Sequence, residues 1–300
     1  MALTFAQALA AGGQDDVTRG ALEVAIEESA VWDRLYFENI NGNAYAYDKD
    51  AVLPGTGFRT VNEAYTESTG VVNSDTERLT ILGGDADVDQ FLEATMGSSR
   101  SVLMAGQVRM KIASAQSTYV DAMFNGDTNA NPKGFDGLRK RLVNKQVKDA
   151  TATLAQEAAL GDLDVLFAAV SGGPDVVYTS SDILARYKSL GRSVGGADYI
   201  NSEITGKREW TWNGVPFIDP GEHWSGRKIL PDGGGELFAL KLARGDGDVG
   251  VLGICNGMLT AKYLGELQEK PAIRTRIDFY AAMVVQGGRA AARLRGIALS

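Results

Sequence analysis

The spacing of apolar residues divides the chain into stretches of unlike character. Between Gln90 and Phe124, Val102, Ala105, Val108, Ile112, Ala115, Tyr119 and Met123 recur at steps of three and four. That spacing predicts one buried face on a helix of about seven turns or more, stopped by Asn125-Gly126. Gly97 and Gly106 each cost about 1 kcal/mol against alanine and mark candidate bends. A second, shorter helix is expected over Asp15–Ser29, with Asp15 and Asp16 at its positive end and an apolar side of Ala21, Leu22, Val24, Ala25 and Ile26.

Tyr36 to Val88 has no helical period. "NAYAYDKD" alternates as a strand does, "LPGTGF" is a cluster of breakers, and "ERLTILGGDADVD" predicts strands around a Gly-Gly turn. Large apolar residues are sparse there, beside Pro54 and six glycines. A ribbon of this composition is marginal alone and needs a second surface to lean on.

Beyond the basic knob Arg139-Lys140-Arg141, helical and strand patterns alternate. "LGDLDVLFAAV" predicts an amphipathic helix and "PDVVYTS" a buried strand. "SDILARYKSLG" predicts a helix capped by Ser181 or Asp182 and ended at Gly191. "REWTWNGVPFID" predicts a hairpin at Asn213-Gly214, with Pro216 placing its second strand at a sheet edge. "GELFALKLA", "GVLGICNG" and "TAKYLGELQ" continue the series. In the tail, Ile273, Thr275, Ile277 and Phe279 alternate with Arg274, Arg276, Asp278 and Tyr280, predicting a long strand, a Gly-Gly turn and a returning strand. The fold class is α+β, and 300 residues at 44% hydrophobic can bury a substantial core.

Charge is uneven. Residues 1–100 hold 17 Asp+Glu against 6 Lys+Arg, a net of −11; the remaining 200 hold 21 against 24, a net of +3. No dense basic patch exists to neutralise nucleic-acid phosphates, which argues against sequence-specific DNA or RNA binding. The asymmetry points instead to self-association, an acidic half meeting the arginine stripe of Arg274, Arg276, Arg289, Arg293 and Arg295 on a neighbour. Apolar runs fall short of the roughly 20 residues of a membrane span, and the start has no positive region like that of a secretory signal, so synthesis in the cytosol without membrane insertion is expected.

Candidate chemistry is thin. His223 is the only histidine, and Ser225 two residues away does not make an oriented nucleophile–base pair; no Gly-x-Ser-x-Gly elbow occurs. "PDGGGEL", "GDGDVGVLG" and "NGDTNANPKG" match neither a Walker A loop nor a dinucleotide fingerprint. Asp85, Asp87 and Asp89, like Asp246 and Asp248, alternate without the Gly and Glu that a calcium loop requires. Arg244-Gly245-Asp246 spells an integrin-type tripeptide of common occurrence. Cys255, the only cysteine, excludes an intramolecular disulfide and sits among apolar residues as a small hydrophobe. No catalytic, cofactor-binding or metal-ligating residue is expected.

The order of these parts resembles the major capsid proteins of tailed bacteriophages, the Hong-Kong-97-type fold also seen in encapsulin shells. "NGNAYAYDKDAVLPGTGFRTVNE" with "DTERLTILGGDADVD" is similar to the family's extended loop, a β-ribbon that overlaps the next subunit. The Gln90–Phe124 helix resembles the spine helix, "FNGDTNANPKGFDGL" the segment after it, and "PDVVYTSSDILARYKSLG…WTWNGVPFID" the axial domain. The resemblance covers roughly residues 30–300 and implies an N-terminal arm (1–35), an extended loop (36–88), a peripheral domain (89–145 plus 262–300) and an α/β axial domain (146–261). It further implies a structural subunit of an icosahedral virion shell around double-stranded DNA, built from pentamers and hexamers. The implied partners are other copies of the chain, a separate scaffolding protein, a portal and in some relatives a decoration protein. An encapsulin-like compartment and, more remotely, an α/β carbohydrate- or nucleotide-binding enzyme are the alternatives. Some relatives cross-link a ribbon lysine to a neighbour's asparagine; nothing around Lys49 matches that motif, so no cross-link is implied.

Overall fold

The computed structural model describes residues 29–52, 54–91, 95, 100–151, 156–194, 198–201, 208–231, 235–245, 248–257 and 259–297. The helix expected over Asp15–Ser29 lies outside them except for its last residue, as do Gly97 and Asp246.

Strand β1 (Phe37–Asn39) is followed by a separate two-stranded ribbon, β2 (Ala44–Val52) against β3 (Val71–Arg78), and then by β4 (Thr80–Asp89). The helix α1 (Arg100–Asn125) leads through a polar corner to the short α2 (Leu138–Arg141) and β5 (Val147–Asp149). Next come α3 (Gln156–Ala169), β6 (Val176–Thr179), α4 (Ser181–Val194), β7 (Asp198–Asn201), β8 (Arg208–Trp212), β9 (Val215–Ile218) and β10 (Leu237–Leu240). The chain ends with β11 (Val251–Cys255), β12 (Thr260–Glu266), β13 (Ala272–Val285) and β14 (Ala291–Arg295).

Two larger sheets result. The five-stranded sheet is centred on β13, which pairs antiparallel with β4 along one edge and with β12 and β11 in tandem along the other; β1 adds outside β11. The seven-stranded sheet runs β5-β14-β10-β6-β9-β8-β7. No helix among the described residues is long and apolar enough to cross a membrane.

The α1 face forms as the spacing predicts: Val108, Ile112, Ala115, Tyr119 and Met123 are all buried. They meet the inward side of β13, where Ile273, Thr275, Ile277 and Phe279 are buried. Trp32, Phe37, Tyr119 and Phe279 form an aromatic cluster with ring centroids 5.4–6.0 Å apart. The Tyr119 hydroxyl donates to the Ala282 carbonyl at 3.1 Å, satisfying the one polar atom that ring brings into the core. At the far end of α1, Phe124 stacks edge-on with Tyr178 (5.4 Å) and lies 5.4 Å from Phe238, so the same core continues onto the seven-stranded sheet. That sheet is covered on its other face by α3 and α4, through Leu163, Leu166, Ile183 and Tyr187 against Val177, Phe217 and Leu237. Burial on both sides explains why β6 and β10 are continuous apolar runs instead of alternating ones.

Four expectations need correction. Gly83-Gly84 makes no turn: β4 runs straight through, with Gly83 opposite Asp278 and Gly84 opposite Ile277. A Cβ on Gly83 would lie 2.2 Å from the Ile277 carbonyl oxygen, so the glycine admits a close approach of two backbones. Gly191 does not end α4, which continues to Val194; one glycine costs about 1 kcal/mol against alanine, too little to stop a helix. Pro216 is not on an edge strand, because β9 lies between β6 and β8. The hairpin closes on Trp212↔Val215, with Asn213 (φ 50°) and Gly214 (φ 79°) both left-handed. The next pair, Thr211↔Pro216, is the non-hydrogen-bonded kind, and the β6 ladder begins only at Phe217. The missing proline N–H is therefore not demanded on either side. Finally, β14 does not return along β13 but inserts between β10 and β5. The small side chains of Ala290, Ala291 and Ala292 are fully buried there, which a Gly-Gly hairpin signal alone does not reveal.

Candidate assembly surface

The ribbon joins the core at its base, through Tyr47 and Tyr45, and leaves it towards its far end. Its pairing runs from Ala44↔Arg78 to Val52↔Val71. At its base, Tyr47 is buried, Tyr45 stacks on it (6.2 Å, 24°), and Leu79 N donates to Asn43 O. At its far end, residues 54–69 are exposed throughout, including Phe58, Val61 and Tyr65. Sequence reading missed these three. Their only signal was the presence of large apolar residues within the breaker-rich "GFRTVNEAY".

The corner after α1 braces the ribbon base. Gly137 N donates to Gly126 O (2.9 Å), and a Cβ on Gly126 would meet the Phe135 carbonyl at 2.3 Å, so both glycines serve a tight crossing. Phe135 is tucked in against Tyr119, ring centroids 5.5 Å apart. Lys140 Nζ holds Asp127 (2.7 Å), Thr128 Oγ1 (2.8 Å) and Asp136 (2.8 Å), while the Thr128 amide also donates to Asp136. The Lys140 hydrogen bond keeps the Asp127 carboxyl below its ordinary range. Burial pushes Asp136 up, yet Lys140 and Thr128 together bring it below that range as well. Arg141 reaches Glu77 on β3 with both terminal nitrogens, one at 2.9 Å, and its Nε donates to the Asp136 carbonyl at 2.5 Å. Burial opposes the Arg141 charge, but Glu77 outweighs it and raises the pKa. The polar loop spends its hydrogen-bonding groups on turns and on itself. Between ribbon base and corner lies a cleft of about 690 Å³, walled by Leu79, Ile81, Pro132 and Phe135, with the exposed Arg78 and Lys133 on its rim.

The arginine stripe does not wait for a neighbour. Arg274 forks onto Asp87 (2.7 and 2.8 Å) and Arg276 onto Asp85 (2.8 and 3.2 Å), directly across the β4–β13 ladder; Lys270 also reaches Asp87. These contacts hold both carboxyls below their ordinary range, Arg276 being the main cause at Asp85 and Arg274 at Asp87. Arg293 pairs with Glu236, Arg295 with Asp149 (2.6 Å), and Arg289 caps the end of α3 through the carbonyls of Ala168 (2.7 Å) and Ala169 (3.2 Å). The expectation that these arginines wait for a neighbour's acids is corrected: register puts Asp87, Asp85 and Asp149 opposite Arg274, Arg276 and Arg295 in the same chain, Glu236 holds Arg293, and backbone carbonyls hold Arg289.

The other candidates stay apart. His223 Nδ1 meets Ser225 Oγ at 2.9 Å, a contact within one turn, and Trp224 is exposed beside it. Arg244 contacts Asp175 at 3.2 Å. Asp248 accepts from the Arg244 amide. Cys255 is buried, and burial, with Glu38 adding, pushes its thiol up to about 11. Among the described residues no group of three or more His, Cys, Asp or Glu is placed to hold a metal.

This architecture is the Hong-Kong-97-type shell fold, α+β, with a projecting ribbon and a long helix beneath a sheet. Solved structures that share it include the holo-SrpI encapsulin complex from Synechococcus elongatus (TM-score 0.67, 16% identity, 89% of this chain and 86% of that one). A chain of Mycobacterium phage Bobi gives 0.65 at 15% identity over 89% and 90%, and the capsid of an empty GTA particle 0.62 at 16% over 90% of each. No family model and no curated protein sequence matches the chain.

Proposed function

We propose that the chain is a major capsid protein, a structural subunit that assembles into pentamers and hexamers of an icosahedral virion shell enclosing double-stranded DNA. The observation that carries this reading is the ribbon 44–78: its base is anchored and its far end is wholly exposed. The far end, residues 54–69, is exposed throughout, so its stabilisation falls to a partner, and a repeated subunit supplies one. A net charge of −8 suits a wall that holds DNA without gripping it. In this reading the five-stranded sheet with α1 is the peripheral domain, and the seven-stranded sheet with α3 and α4 is the axial one. The partners are further copies, a separate scaffolding protein and a portal, and the site of action is the virion, assembled in the host cytoplasm.

A second reading, an encapsulin-like compartment, is favoured by the likeness to the encapsulin chain at TM-score 0.67. Electron microscopy of the purified protein tests both: closed shells or capsomers are expected, and a small discrete oligomer counts against either. Nuclease-protected DNA inside particles purified from their source separates virion from compartment.

A further inference from the structure

We infer that Asp33 is a proton-operated latch: a proton on its carboxyl fastens the turn 30–35 to the seven-stranded sheet, and loss of that proton loosens the joint. The inference is independent of the shell reading. The turn sits where the two large sheets share a core. On one side Trp32 packs among Phe37, Tyr119 and Phe279, with ring centroids 5.4–5.9 Å apart. On the other, Arg34 Nη2 donates to Glu209 Oε2 on β8 at 2.6 Å, and the Tyr178 hydroxyl on β6 donates to the Ala30 carbonyl at 3.5 Å. Ser29 Oγ steadies the turn by accepting the Val31 and Trp32 amides at 3.4 and 3.3 Å.

Asp33 is the misfit in this arrangement. It is 6% exposed, and no hydrogen bond among the described residues reaches its carboxyl. Buried carboxylates are ordinarily paired or hydrogen-bonded. The cation beside it is taken: Arg34 gives its guanidinium to Glu209, and the Arg34 Nε is itself buried without a partner. Two carboxyls thus compete for one guanidinium, and Glu209 holds it. The groups that face Asp33 are Arg34 on its own turn, Glu209 on β8 and the Tyr178 hydroxyl on β6, which burial keeps protonated. Burial raises the Asp33 pKa, Arg34 opposes the rise and Glu209 adds to it. A folded-state value above the unfolded one makes the stabilisation complete below the ordinary carboxyl range, about pH 4, and removes it as pH rises through the folded value. A protonated carboxyl has no charge to desolvate and offers an O–H to a carboxylate beside it.

Hydrogen exchange of the purified full-length chain tests this. The Asp33, Arg34 and Leu35 amides donate to the Ser29 and Val31 carbonyls, so they report opening of the turn directly. Asp33→Asn keeps the shape of the side chain and removes its charge. At pH 7 these amides are expected to exchange roughly tenfold more slowly in the variant than in the wild type, after correction for intrinsic rates, while β13 amides keep a ratio of about one. The difference is expected to shrink as pH is lowered from about 6 to about 4, where the wild type takes up its own proton. Glu209→Gln frees Arg34 to pair with Asp33, so adding Asp33→Asn in that background should no longer slow exchange at pH 7. Equal exchange of Asp33→Asn and wild type at pH 7, or a slowing that does not change with pH, overturns the latch. So does an undiminished slowing in the Glu209→Gln background. Faster exchange in Asp33→Asn, or its failure to fold, overturns it as well, because either result shows that the ionised carboxyl is what the turn requires.

Discussion

Arg141→Met isolates what holds the ribbon at its angle. Methionine keeps an unbranched stem of similar reach and removes the guanidinium. The Arg141 side chain is 14% exposed and that of Glu77 21%, so the pair is shielded enough for its hydrogen bonds to matter. Three donors are lost, two to the Glu77 carboxylate and one to the Asp136 carbonyl. Hydrogen bonds to charged groups contribute about 1.5–3 kcal/mol each, but three that share one side chain do not add, and Glu77 regains some water once released. A net cost of about 2–4 kcal/mol follows. Urea unfolding of the purified chain measures it as a lower midpoint at constant slope. Hydrogen exchange locates it: protection is expected to fall in β2 and β3 and to persist in β13. A cycle with Glu77→Gln should return a coupling above about 1 kcal/mol. Coupling below about 0.5 kcal/mol, or equal loss of protection in β13, refutes the reasoning that this pair fixes ribbon to corner.

Asp85 and Asp87 have folded-state pKa values below their unfolded ones, so the stability they supply is present above about pH 4 and is lost as pH falls below it. The urea midpoint of the wild type should stay level from pH 7 to 5 and drop below 4, and the drop should be smaller in Asp87→Asn. Gly83→Val forces a Cβ into the Ile277 carbonyl, and loss of the β4–β13 ladder should lower the unfolding free energy from urea titration by more than about 1–3 kcal/mol. Cys255, with its thiol pushed up to about 11, should resist iodoacetamide at pH 8 in the folded subunit and react at once in urea; rapid labelling of folded protein would contradict its burial.

What the sequence disclosed was local periodicity. The α1 face, the stop at Asn125, the Asn213-Gly214 hairpin and the β13 alternation all followed from spacing that one element carries by itself. What it concealed depended on which strand lies next to which. Gly83-Gly84 looks the same whether it turns or allows a close crossing; only the Ile277 carbonyl decides. Arg274 and Arg276 looked available because their partners lie nearly two hundred residues earlier, and a two-residue period on each strand says nothing of register. The exposed tip was hidden for the opposite reason: Phe58, Val61 and Tyr65 sit at steps of three and four in a breaker-rich stretch that forms no helix, and apolar residues in a loop carry no signal until their exposure is known.

The insertion of β14 between β10 and β5 sets an order of events during synthesis. When β10 leaves the ribosome, one side is already matched by β6, while the other stays open until residues 291–295 arrive. In the meantime β5 has no neighbour, and Glu236 lacks Arg293, one of its two arginine partners. A nascent chain therefore exposes an apolar strand edge through the translation of β11, β12 and β13. The seven-stranded sheet is complete only after β14 has been made, so the fold itself keeps that edge open until translation has passed that strand.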